Sequence, residues 1–206
     1  MYHCEGSKIL IGCDNSSLVI DKLCDDTTDE DTVVTCFYFD FAARSEQSPV
    51  NILGSLLRQL VSGLEQIPEV VVRAFRKAKR CIGGRSLQVS GIVKMFQTIA
   101  ATKRTFICVD ALDECVPEHR MVVLESLRQI LQGSPNTRIF MTGRPHMRND
   151  VRELDGGVTF MSLQPKEDDI ITYLSDKLKN DTTLRMRSDP LEAEIIKKIL
   201  EVSSET

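Results

Sequence analysis

Three carboxylates stand close together after an apolar run. In "RTFICVDALDECVPEHR" the residues Phe106 to Val109 lead directly into Asp110, and Asp113 and Glu114 follow. A second apolar run further along ends in "RIFMTGRPH", which supplies a hydroxyl, Thr142, and a cation, Arg144. Two chemistries fit the first stretch. It can be a core strand that exits into a solvated acidic loop. It can also be the tip of a parallel strand, where open α/β sheets bind their ligands and where an acid can serve the magnesium of a nucleotide. In that case Asp110 would bind the metal through water. Asp113 or Glu114 would orient and deprotonate the attacking water, and Arg144 or the Thr142 hydroxyl would report the state of the terminal phosphate. An apolar run ending in one Asp is a weak signal. D-x-x-D-E followed by T-x-R-P is a much stronger one.

These residues need a sheet to position them. Apolar runs over Lys8 to Ile11, Val33 to Phe39, Phe106 to Asp110, Thr137 to Thr142 and Val158 to Leu163 read as strands. They are mostly continuous rather than alternating, as expected for strands covered on both faces. Helical patterns lie between them. Ser48-Pro49 opens one with a cap and a first-turn proline, and Ile52, Leu53, Leu56, Leu57, Leu60, Val61 and Leu64 recur as its apolar face. A second runs from Pro117 to Gln132, with Met121, Leu124, Leu127, Ile130 and Leu131 inward and Gly133 as its stop. "PKEDDIITYLSDKLKND" begins with acids that suit the helix dipole and carries Ile170, Ile171, Leu174 and Leu178 as a stripe. A last helix covers Pro190 to Val202, and Asp25 to Asp31 reads as an acidic loop. Strands alternating with helices predict a parallel α/β sheet.

Composition narrows the classes. The chain has 206 residues, 42% hydrophobic and 27% charged, enough for a real core. A net charge of −4 gives no reason to expect nucleic acid as the default partner. The basic cluster Arg73 to Arg80 reads as a solvated helix face. Seven cysteines show no C-x-x-C spacing and no cluster with histidine, so neither a zinc site nor a disulfide framework is expected. Their placement fits a reducing compartment, and a cytoplasmic location is expected. No apolar run approaches the roughly 20 residues of a membrane span.

With these residues in view, the chain resembles the NACHT domains of fungal STAND P-loop nucleoside triphosphatases, the group with heterokaryon-incompatibility and ankyrin-bearing NOD-like receptors. "FICVDALDEC" is similar to their Walker B segment and "SPNTRIFMTGRPH" to their sensor segment. "SSLVIDKL" looks like the helix after the phosphate loop, "CFYFDF" like the second strand, and "VNILGSLLRQL" like the helix after it. "DDIITYLSDKLKND" and "LEAEIIKKILEVSSE" resemble the small helical region that follows. The resemblance implies a three-layer parallel-sheet P-loop core of the STAND or AAA+ kind over residues 1–167 and the start of a helical lid over 168–206. It implies a nucleotide-dependent signalling switch with Mg2+ and ATP or GTP, and self-association with other STAND protomers. In that group the last segment continues into an apolar helix and then a winged-helix region.

The family's Walker A signature, G-x-x-x-x-G-K-S/T, is missing. "KILIGCDNSSLVIDKL" passes from strand to helix with only Gly12, Cys13, Asp14 and Asn15 between, and Asp14 puts an acid near the phosphates. Gly12 and Ser16, at the two ends of that join, are the positions left for phosphate contact. Each lost charge-assisted bond is worth roughly 1.5–3 kcal/mol. A micromolar affinity totals about 8 kcal/mol, so two or three lost bonds move binding toward millimolar. Weak or no nucleotide binding is therefore expected, and the alternative is a non-catalytic remnant or a protein-interaction scaffold. The remaining candidates have plain readings. His119 and His146 read as exposed helix-start residues, Cys115 as structural, Gly83-Gly84 as a turn between two helices, and the aromatics of "FYFDF" as sheet core.

Overall fold

The computed structural model describes residues 9–12, 16–26, 31–80, 87–152, 157–161, 167–180 and 189–203. Two compact units result, Met1–Ser162 and Leu163–Thr206.

In the first unit the elements run β1 (Ile9–Gly12), α1 (Ser16–Asp26), β2 (Thr32–Tyr38), α2 (Pro49–Ser62), α3 (Glu69–Arg80), α4 (Val89–Ala100), β3 (Arg104–Asp110), α5 (Pro117–Gly133), β4 (Thr137–Thr142), α6 (Arg148–Arg152) and β5 (Val158–Phe160). The strands form one sheet in the order β2-β3-β4-β1-β5, with every pairing parallel. Each strand is therefore reached by a helical crossover, as parallel pairing requires. β4 lies between β1 and β3 and sets the tips of β3 and β4 side by side.

Alternation along the strands builds three layers. Ile107 and Val109 of β3 join Ile139 and Met141 of β4 in the main core, packed with α2, α4 and α5. Cys108 and Phe140 face the other way and meet Ile20 of α1. Helix α2 forms where the Ser48-Pro49 pair predicts. The Ser48 side chain accepts from the Asn51 N–H, and Ile52, Leu53, Leu56, Leu57 and Leu60 are buried. Strand β2 is an edge, and α2 blunts it. Gln59 accepts from the Cys36 N–H and donates to the Cys36 carbonyl, both at 2.8 Å. That amide occupies backbone groups that would otherwise template another strand.

Several expectations shift. Strand β2 ends at Tyr38, and Phe39 continues as coil whose N–H bonds the Asp110 carbonyl. Asp25 and Asp26 belong to α1 rather than to a loop. Met121 is 51% exposed, and Val123 takes the inward position. Gly133 is the last residue of α5, not a left-handed stop beyond it. A Cβ there would come within 2.5 Å of the Gln97 side chain, and Gln97 donates to the Gln129 carbonyl at 2.6 Å. The glycine serves that close approach. Helix α4 starts without a side-chain cap. Its apolar residues share one face, where Ile92, Val93, Met95, Phe96, Ile99 and Ala100 are all buried, while Ser90, Lys94 and Thr98 are exposed on the other. A buried side chain of the Phe or Ile kind contributes about 1.5–3 kcal/mol, so α4 is a main prop of the core. Lys8 and residues 162 and 163 at the ends of the expected strands lie outside the described residues.

The second unit contains α7 (Glu167–Asn180) and α8 (Asp189–Ser203). The stripe Ile170, Ile171, Leu174 and Leu178 is half-buried, while Tyr173 is exposed. On α8, Ile195 and Ile196 are half-buried, and Ile199 remains 40% exposed.

Candidate functional site

The carboxyl ends of four strands meet in one row. Tyr38 pairs with Asp110, and Gly12 pairs with Thr142. Between those pairs the Thr142 hydroxyl donates to Asp110 Oδ1 at 2.5 Å and accepts from the Ala111 N–H at 2.9 Å. Thr142 is buried. A hydroxyl has one proton to donate, and here it goes to Asp110.

The chain then turns sharply. Ala111 has φ 53 and ψ 48, the left-handed region, and is the one positive-φ residue other than glycine among the described residues. Such a conformation costs about 1–2 kcal/mol for a residue with a Cβ, and this kind of strain clusters at functional sites. A single 3-10 turn, Leu112–Glu114, follows. Leu112 is fully buried and pins the turn to the core.

The two remaining acids diverge from that anchor. Asp113 reaches the turn after β4. Its Oδ2 lies 3.2 Å from Arg144 Nε, and its Oδ1 accepts from the Arg144 N–H at 3.3 Å. Glu114 reaches the turn after β2. Its Oε2 accepts from the Phe41 N–H at 2.8 Å, and its carbonyl accepts from Arg44 Nε at 3.1 Å. The Arg44 guanidinium also stacks over the exposed Phe41 ring at 3.7 Å. Asp110 and Thr142 are thus brought together, as are Asp113 and Arg144, while Glu114 joins Phe41. Gly12 sits at the row's end, and three residues separate it from Ser16, the first residue of α1. Residues 13–15 and the Ser16 side chain lie outside what is described.

Among the described residues no group of three or more His, Cys, Asp or Glu could hold a metal. Magnesium asks less, since it keeps most of its waters and takes one or two carboxylates. Asp110 would meet that requirement through Oδ2, because Oδ1 accepts from Thr142. A triphosphate asks for more. It needs a loop of backbone N–H groups and a lysine, and the three residues between β1 and α1 contain neither the length nor the cation.

Other polar groups near the sheet are structural. Burial pushes the Cys108 thiol up to about 12 and the Cys115 thiol up to about 11. Burial, Cys36 and then Asp110 push the Tyr38 hydroxyl up. His119 is half-buried rather than exposed, with Nδ1 3.2 Å from the Gln47 carbonyl. His146 is exposed, within a 3-10 turn. Ala111, Phe41, Arg44 and Tyr38 escape sequence reasoning. Only their places after strands with acidic tips could have flagged them.

The profile of the family described as "Nephrocystin 3, N-terminal" matches residues 15–144. No curated protein matches the chain. Among solved structures, a chain of the Drosophila ORC bound to DNA superposes with a TM-score of 0.53 at 12% identity, covering 97% of this chain and 51% of that one. Cdc6p from Pyrobaculum aerophilum gives 0.49 at 14% identity, with 85% and 45% covered. A Walker-type ATPase of Pyrococcus abyssi gives 0.47 at 10% identity, with 93% and 57% covered. This chain spans about half the length of those structures. The likeness is one of fold, a parallel-sheet α/β domain of the P-loop ATPase type. No helix among the described residues is long and apolar enough to cross a membrane.

Proposed function

The chain belongs to the nephrocystin 3 N-terminal family, and from that premise we propose that it is a nucleotide-dependent signalling switch domain of the NACHT kind, impaired in nucleotide binding. The observation that carries this reading is the contrast between the two halves of the site. On one side, Asp110, Thr142, Asp113 and Arg144 are joined across neighbouring strand tips. On the other, β1 ends at Gly12 and α1 starts at Ser16, which leaves three residues where a phosphate loop belongs.

In this reading Asp110 is the residue that would hold magnesium, through water. Magnesium there would neutralise charge on a phosphate. Asp113, Glu114 and Arg144 retain their family positions as candidate catalytic residues, and Gly12, Ser16 and Thr142 as candidate nucleotide contacts. In an intact relative, exchange of the bound nucleotide would reorient the helical region and permit self-association. Here the same scaffold holds that arrangement with a weakened trigger.

Calorimetric titration with Mg-ATP and Mg-GTP, with and without EDTA, tests the reading. No saturable binding is expected below roughly millimolar. Replacing Gly12 to Asn15 by a Gly-rich loop ending in Gly-Lys-Thr, with a short connector to Ser16, should bring binding to about micromolar. Tight magnesium-dependent binding by the unaltered chain would overturn the impairment. A folded loop-restored chain that still binds nothing would sink the nucleotide reading altogether.

A further inference from the structure

Away from the strand tips, α2 and α3 form the walls of an open groove of about 600 Å³. Its floor and sides are apolar, from Leu57 and Val61 of α2, Val71 and Phe75 of α3, and Ile67 between them. Phe75 is 49% exposed and Ile67 63% exposed, so large apolar side chains line a space that nothing in the first unit's described residues fills. The polar side chains at its margin are mainly cationic: Arg58, Arg76 and Lys79. All three are exposed, and none is in an ion pair among the described residues. No acid is among the described residues that line it.

Gly54 supplies a second, independent observation. It lies in the interior of α2 and lines the same groove. Glycine within a helix costs roughly 0.8–1 kcal/mol against alanine, so a reason for it is needed. Packing within the fold gives none, because a Cβ at Gly54 would meet no described atom within 4 Å. A glycine on an open helix face leaves room for another backbone to come close. The groove positions of α2, Gly54 to Ser62, cover a little over two turns, about 12 Å. That length matches two to three turns of a helix laid alongside.

We propose that this groove docks an amphipathic α-helix of a partner protein, with its apolar face against Leu57, Val61 and Phe75, its backbone crossing at Gly54, and acidic residues on its flank facing Arg58, Arg76 and Lys79. Helix-in-groove recognition reads apolar anchors at i, i+3, i+4 and i+7, and the basic rim adds partner selection and steering rather than bulk affinity. This surface is independent of the nucleotide site and does not rest on the reading of that site.

The test pans the full chain with displayed helical peptides of about 14 residues, four turns, carrying Leu at i, i+3, i+4 and i+7 and randomised elsewhere. Selected binders are expected to be enriched in Asp and Glu over Lys and Arg on one flank. A synthetic peptide of the consensus, followed by fluorescence anisotropy, should bind the Gly54→Leu and the Arg76→Glu/Lys79→Glu variants at least roughly tenfold more weakly. Both changes are at partly or fully exposed positions, and thermal melts should show each variant folded. Gly54→Leu should melt no lower than the parent chain. Recovery of no binder, or of binders without acidic enrichment, overturns the proposal. So does equal binding by the Gly54→Leu variant. If anionic phosphatidylserine vesicles bind the chain, lose binding on Arg76→Glu/Lys79→Glu and ignore Gly54→Leu, the occupant is a membrane and the proposal fails.

Discussion

Asp113 holds Arg144 twice, through its side chain at 3.2 Å and its backbone N–H at 3.3 Å. One carboxylate thereby joins the turn after β3 to the turn after β4. The two partners differ in setting, since the Asp113 side chain is 11% exposed and that of Arg144 is 75% exposed. An ion pair with one end so open to water contributes at most about 1 kcal/mol. Asp113→Asn keeps an oxygen for the Arg144 N–H and loses the ion pair, since an amide NH2 replaces the oxygen that faces Arg144 Nε. Urea denaturation should therefore show a change of no more than about 1 kcal/mol. A cost above about 2 kcal/mol, beyond an ordinary surface change, would make this acid structural.

Ala111 offers a change in the opposite direction. Its left-handed backbone costs about 1–2 kcal/mol with a Cβ present. Glycine removes that strain and adds roughly 0.4–1 kcal/mol of unfolded-state entropy against folding. Ala111→Gly should thus raise the melting temperature slightly, and Ala111→Val should lower it. A lower melting point for the glycine variant would mean that the Cβ makes contacts worth more than the strain.

These two residues show what the sequence could and could not convey. The strands were legible because two-sided burial makes continuous apolar runs, as in Ile107 to Val109. Helix α2 was legible because Ser48-Pro49 is a local start signal. The sequence offers Asp110 and Thr142 only as the ends of two separate strands, and it is the parallel pairing of β3 with β4 that brings them together. The divergence of Asp113 and Glu114 was not legible. Adjacent residues on a turn carry no record of which strand each will face, and Phe41 and Arg44 enter only through the register of β2. Gly133 misled for a related reason: a glycine near a helix end serves as a cap far more visibly in sequence than as room for Gln97. The short join between β1 and α1 was legible because a missing Gly-Lys-Ser/Thr is a fact of sequence alone.

The thiols give a prediction with a pH sign. Cys108 and Cys115 are buried, and burial raises them from 9.0 to about 12 and about 11. Cys24 is exposed. With a folded value above the unfolded one, the native state holds its protons more tightly. The resulting stabilisation is fully present below pH 9.0 and is lost as pH rises toward 11 and 12. Stability in urea should therefore decline from about pH 9 upward. Alkylation at pH 8 mapped by mass spectrometry should label Cys24 in the native chain and label Cys108 and Cys115 only after unfolding. Native labelling of Cys108 as fast as Cys24 would contradict the two-sided cover of β3.

Glu114 tests whether the strand-tip acids hold the fold together or remain free for chemistry. Its Oε2 takes the Phe41 N–H at 2.8 Å, and its carbonyl takes Arg44 Nε. The first bond uses the charge, and the second does not depend on the side chain. Hydrogen bonds to charged groups contribute roughly 1.5–3 kcal/mol when sheltered, and this one lies at an exposed backbone, so about 1 kcal/mol is expected here. Glu114→Gln retains an acceptor oxygen and should shift stability by less than about 0.5 kcal/mol, a surface-sized effect. Glu114→Ala loses the acceptor and should cost about 1 kcal/mol, with faster amide hydrogen exchange at Phe41 as the local sign. In the loop-restored chain, Glu114→Gln should leave Mg-ATP affinity unchanged and slow phosphate release. If Gln and Ala destabilise equally, the bond to Phe41 depends on charge alone. If phosphate release in the loop-restored chain is indifferent to Glu114→Gln, this acid is a tie between two turns and Asp113 is left as the candidate base.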